Sequence, residues 1–308
     1  MSHFSVLVVG DNVEQQLAPY HEFECTGLDD QYIQDIDETE ECREDYAKHG
    51  EGKPFLEFIK DWHGSKVVPF GQQPDLEGDH KYSYILLDEH GEVSKYVLRT
   101  NPNRKWDWYL IGGRWQGFFR LRPEYAAQGK IGEAEIQSME PDYQKPGFFQ
   151  ADQATKDMID FEWMREEKAR LAAVEFDRFL SVASGLPPAI DWETVRETAL
   201  QEGLSIDIAR ERYNQQPIVQ AVRKDKDLLW KDAEQFNCGR DLYIQAARDR
   251  AVITFAVLND GKWYERGEMG WWACVSNEKP KGQWESEFNS LLDSLPGNIL
   301  LTVVDCHI

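Results

Sequence analysis

The residues best equipped for chemistry sit in two short aromatic segments. Residues 101–119 read NPNRKWDWYLIGGRWQGFF and set Trp106, Trp108 and Trp115 around Gly112-Gly113 and Arg114. Residues 263–272, WYERGEMGWW, repeat the mixture with Trp263, Trp271, Glu265 and Glu268. Indole rings beside glycine turns can stack a base or sugar, and a guanidinium can fork onto a phosphate or carboxylate. The same rings can instead fill a sheet core, since alternate strand residues face inward. Trp106, Trp108, Arg114, Trp115, Trp263, Glu268 and Trp271 form the candidate ligand-binding set. GGRW is expected as a turn that aims Arg114 and one tryptophan outward while the other rings pack inward.

Two histidine-bearing stretches come next. In PYHEFECTGLDDQY, His21, Glu24 and Cys25 include possible metal ligands, but HxxEC is not one of the spaced pairs that zinc sites use. A polar loop is expected there, with no metal and no cofactor. The C-terminal DCHI sets Asp305, Cys306 and His307 at the end of an apolar run. Adjacent strand residues point to opposite faces, so Cys306 and His307 cannot easily meet as a catalytic pair. His307 would instead lie near His3 if the first and last strands pair. GxxxxGK[ST], GxGxxG, GxSxG and HExxH are all missing, so no ATPase, Rossmann or hydrolase-elbow motif supports a reading.

The elements that must position these residues can be read from periodicity and turn signals. SHFSVLVV reads as a buried strand stopped by Gly10-Asp11-Asn12, followed by a short helix VEQQLA that Pro19 ends. Helices are expected over Glu38 to Lys48 and over PFLEFIKDWHG. KYSYILL and EVSKYVLRT flank the turn DEHG as a hairpin, and the aromatic segment is expected to continue that sheet. From Asp152 to Ser184 there is no Gly or Pro, and Phe161, Met164, Leu171 and Val174 recur at helical spacing. AVITFAVLN and KWYER flank Asp260-Gly261, MGWWACVSNE reads as a strand, QWESEFNSLLDSL as a helix and NILLTVVDCHI as a final strand. The fold class is α+β. An antiparallel sheet, of ferredoxin-like order with first and last strands adjacent, carries a mostly helical middle insertion. Residues 1–150 form a β-rich part with an acidic helical insert, 151–250 a helical part, and 251–308 a β-β-α-β part. The first and last of these are expected to make one composite domain.

Bulk composition narrows the partners. The 308 residues are 41% hydrophobic and include 11 tryptophans, which suits a globular chain with a real core. With 34 basic and 56 acidic residues the net charge is −22, a field that disfavours direct nucleic-acid binding. Residues 29–51 alone hold ten acids against Arg43 and Lys48. Five cysteines without CxxC spacing suit reduced thiols in a cytoplasmic protein. No signal peptide is expected, and no apolar run is long enough to span a membrane.

The stretches MSHFSVLVVG, LAPYHEFECTG, NPNRKWDWYLIGGRW, DGKWYERGEMGWW and LLTVVDCHI together resemble a family of uncharacterised bacteriophage and prophage proteins. The resemblance covers both β-rich ends and implies a phage-encoded accessory protein acting in the host cytoplasm. It carries no catalytic residues. The expected function is therefore binding: capture of a small nucleotide-like ligand by the aromatic set and Arg114, or of a host defence protein by the acidic surface. The alternative is an enzyme on a nucleotide or nucleic-acid substrate, with Glu265 or Glu268 as acid or base, Arg114 as anion clamp and His21 or His307 assisting. A virion structural or assembly role is a third reading.

Overall fold

The computed structural model describes residues 2–22, 31–133 and 149–308. The chain is α+β, with antiparallel pairing dominant. Its main sheet has six strands. The first strand, His3–Val9, pairs antiparallel with the last, Leu300–His307, over its whole length. On its other edge it pairs parallel with Ala256–Asn259, which forms a hairpin with Lys262–Glu265. The last strand is flanked beyond by Trp108–Ile111 and Gln153–Thr155. The split order of a ferredoxin-like sheet requires a strand between its parallel neighbours, and here the parallel pair is adjacent.

Strand alternation gives the sheet two apolar faces. Phe4, Val6 and Val8 meet Val304, Cys306, Trp106 and Leu258 on one side. Leu7, Val9, Leu301 and Val303 lie on the other, under Trp284, Phe288 and Leu292 of the helix Gln283–Ser294. The helical middle keeps its own apolar cluster, built around Phe176, Phe179, Ile218 and Phe236. Its long helix, Phe161–Val182, buries Met164, Ala169, Ala172, Phe176 and Phe179. Leu171 and Val174, expected inward, are 46% and 60% exposed. The helix that packs along it, Arg240–Asp249, meets it instead through Tyr243 on Phe176 and through Arg248 on Glu162 and Glu166.

Two other expectations change. The hairpin Ser83–Leu87 and Val93–Thr100 belongs to a separate four-stranded sheet, with Gln34–Asp37 and Lys66–Val68. The aromatic segment does not continue it. Between the two sheets stands Asn101, fully buried, whose side-chain amide donates to the carbonyls of Pro19 at 2.8 Å and His21 at 2.9 Å. Its Oδ1 accepts from Asn103 N at 3.0 Å, which turns the chain out of one sheet toward the other. MGWWACVSNE is not one strand but two short ones, Glu268–Met269 and Val275–Ser276, around the turn Trp271–Ala273. Trp272 and Ala273 take left-handed backbone, φ 61° and 57°, which a continuous strand cannot contain.

Candidate functional site

The pairing of the two ends of the chain decides the site. Registers His3↔His307 and His307↔Trp108 put three aromatic side chains in a row across three strands, on the face that carries Leu7 and Val303. One pleat inward, Asp305 lies opposite Ser5 and Leu110. The apolar face therefore ends in a polar cluster. His3 Nδ1 meets Asp305 Oδ1 at 2.9 Å, and His307 Nδ1 meets Asp107 Oδ1 at 2.6 Å. The two imidazoles are edge to face with centroids 5.0 Å apart, and Trp108 stacks on His307 at 4.9 Å.

Each histidine is thus oriented by a carboxylate at Nδ1. In the neutral ring this places the proton on Nδ1 and the lone pair on Nε2. His307 is 3% exposed, and its Nε2 has no hydrogen-bond partner among the described residues. A buried, unpaired acceptor is costly, and such groups concentrate where a ligand or proton is handled. The edge of the cluster is open: Trp108 is 37% exposed and Asp107 40% at its side chain.

The Gly112-Gly113 pair has a structural reason. Both residues have positive φ, 82° and 53°. A Cβ on Gly112 would come within 2.6 Å of Asp152 Oδ2, and one on Gly113 within 2.4 Å of Asp305. The loop wraps two buried carboxylates. Asp152 accepts from the N–H groups of Gly117 at 2.6 Å, Phe118 at 3.1 Å and Gly132 at 2.8 Å. Burial pushes its carboxyl upward, and those three donors pull it back. Asp305 accepts from Arg114 N at 2.9 Å, so the residue after the glycines is locked by its backbone while remaining exposed.

The predicted ligand-binding set is divided by the sheet. Trp108 and Arg114 border Asp305 and His307. Trp115 packs against the Leu7 cluster, further from the sheet end. Trp106 is 6% exposed on the Phe4 side, where its Nε1 donates to Leu17 O at 3.2 Å, and Trp263 packs on that side too. Glu265 holds Lys105 at 2.7 Å and Trp263 Nε1 at 2.8 Å. Glu268 accepts from Asn277 at 3.1 Å and borders a cavity of about 280 Å³ next to Phe4. The turn Trp271–Ala273 adjoins the end of the first strand, where Ser2 Oγ donates to Gly270 O at 2.9 Å and accepts from Ala273 N at 2.7 Å. The Trp271 side chain lies outside the described set, while Trp272 is 80% exposed.

His21 stacks on Trp106 at 4.3 Å and its Nε2 lies 2.8 Å from Asp107 O. Glu24 and Cys25 lie outside the described residues. Among the described residues no group of three or more His, Cys, Asp or Glu can hold a metal ion. Cys306 is fully buried on the opposite face from His307, and that burial raises its thiol well above the usual range. In the acidic stretch, Asp35 is paired with Arg99, Asp37 with Lys95, Glu40 with Arg43 and Asp45 with Lys48, so its charge is partly neutralised. No helix among the described residues is long and apolar enough to cross a membrane.

Asp107 is the member that residue patterns did not single out. The available signal was an acid between two tryptophans, and it lies at the bend just before the strand Trp108–Ile111. No protein-family model, curated protein or solved structure matches this chain.

Proposed function

We propose that the protein is a phage-encoded accessory protein that captures a small nucleotide-like ligand at the His3–His307–Trp108 end of its main sheet. The observation that carries this reading is His307: pinned at Nδ1 by Asp107, buried, and unpartnered at Nε2 beside a partly exposed indole. An indole face takes a planar ring of any base identity, and an imidazole lone pair accepts from a ring or exocyclic N–H. His3, His21, Asp107, Trp108, Arg114, Asp305 and His307 all fall in the stretches that resemble the phage family. Sequestration of a host ligand is the role consistent with that resemblance.

Native mass spectrometry of protein purified from host cells tests the reading. A bound species that disappears in Arg114→Ala, with unchanged cooperative melting, supports it. Arg114→Ala deletes the guanidinium but keeps the backbone N–H on Asp305, so the fold should survive. Apo protein from every host preparation, together with no affinity for any nucleotide, overturns it.

One observation favours an enzyme as the second reading. Two histidines each oriented by a carboxylate, with rings 5.0 Å apart, match what paired proton donor and acceptor groups require. Turnover of the captured ligand, lost in His307→Gln, would select this reading over simple capture.

A further inference from the structure

The chain carries a net charge of −22, yet one of its cavities is ringed by cations. The cavity measures about 790 Å³ and lies between Ser5, the 253–255 segment and the start of the helix Gln283–Ser294. Arg250, Arg266, Lys279 and Lys281 line it, against Glu278 and Glu285. The volume is in the range that holds a small molecule, roughly 300–1,000 Å³.

The carboxylates do not use up these cations. Arg250 meets Glu285 at 2.8 Å and Arg266 meets Glu278 at 2.6 Å, in both cases through Nε. Neither guanidinium makes a further hydrogen bond among the described residues, so the terminal nitrogens of both forks keep their donors. Lys279 is tied to Glu287 and lies over the Trp284 ring, 4.7 Å from its centroid. Lys281 has no ion-pair partner among the described residues. Two forks already oriented by their Nε bonds, with an uncommitted ammonium beside them, suit an anion with several oxygens spread over more than one centre.

The cavity shares a wall with the histidine cluster. Ser5 lines it, sits opposite Asp305, and is two residues from His3 on the same strand face, about 7 Å along the strand. We propose that this cavity binds the phosphate-bearing end of a nucleotide whose planar end lies at Trp108 and His307. Arg250, Arg266 and Lys281 are its anion donors. The link to the sheet end rests on the function proposed above, whereas anion binding by the cavity does not.

Calorimetric titration with inorganic pyrophosphate, which has no planar part, separates the two. Wild-type protein should bind it, and the double variant Arg266→Ala, Lys281→Ala should bind it at least about tenfold more weakly. Both side chains lie at the surface, and circular dichroism melting checks that the variant folds. The Lys281→Glu variant, which touches no ion pair, gives an independent arm and should lose affinity as well. His307→Ala should leave pyrophosphate binding unchanged while weakening a nucleoside diphosphate. No binding to wild type, or binding indifferent to both variants, overturns the cavity assignment. Pyrophosphate bound at the cavity with a nucleoside diphosphate no tighter than pyrophosphate overturns only the link to Trp108 and His307.

Discussion

His307 and His63 both lie flat against an aromatic ring, His307 on Trp108 at 4.9 Å and His63 on Tyr96 at 4.6 Å. Their surroundings differ in kind. His307 ends the main sheet with a carboxylate on Nδ1 and nothing on Nε2 among the described residues. His63 ends the helix Phe55–His63 on the second sheet, with Cys42 Sγ at 3.7 Å from Nε2 and the apolar ring of Tyr96 under one face. Its outer side is open to water. Partial desolvation lowers its proton affinity. A ring contact alone makes a histidine a packing residue. A carboxylate that fixes the tautomer and leaves the second nitrogen unused gives it something to do.

The most disruptive way to break the comparison is Asp305→Ala. Asp305 is fully buried and accepts from both His3 and Arg114 N, so its loss strands two donors and should lower unfolding stability by about 3 kcal/mol, read by urea titration. His63 has no comparable support to lose. Next comes the pair His307→Ala and His63→Ala. The first should weaken capture of a nucleotide-like ligand by roughly 30-fold and the second should leave it unchanged, measured by calorimetry on the same ligand. Trp108→Leu removes the stacking face but not the imidazole and should cost about tenfold in Kd. Quenching of tryptophan fluorescence by the ligand should fall in parallel.

The smallest effect is on acid stability. The folded-state value of His63 lies below its unfolded value, so its contribution is complete above about pH 6.5 and is lost as pH falls through the lowered value. With its outer side in water the effect is weak. His63→Gln should flatten the melting-temperature profile below pH 6.5 by about 1 °C, with no change above it.

Much of the sheet end was legible in the residues because strand periodicity is local and pairing of the first and last strands follows from two apolar runs. Those two facts alone bring His307 to His3. The position of Trp108 beside them was not legible, because Asn101 redirects the chain from one sheet to another by bonding carbonyls some eighty positions earlier. The Gly112-Gly113 turn was expected, yet its cause was not. The carboxylates it wraps, Asp152 and Asp305, are brought in from distant strands, and glycine spacing carries no trace of them. The aromatic set was divided for the same reason: composition groups Trp106, Trp108 and Trp263 together, while the sheet sends alternate residues to opposite sides. The cationic cavity escaped notice because its arginines and lysines lie in three separate stretches of a strongly acidic chain.

His3 and His307 are partners separated by 304 positions, with both flanks of the first strand filled by residues beyond 255. On a ribosome adding about 5–20 residues per second, the first strand waits on the order of 15–60 s for its neighbours. Through that interval Val6, Leu7, Val8 and Val9 form an unpaired apolar edge, the kind of segment that invites association between nascent chains. No partial translation product can therefore assemble the histidine pair. The proposed site is an all-or-nothing feature that arises only once residue 307 has been made.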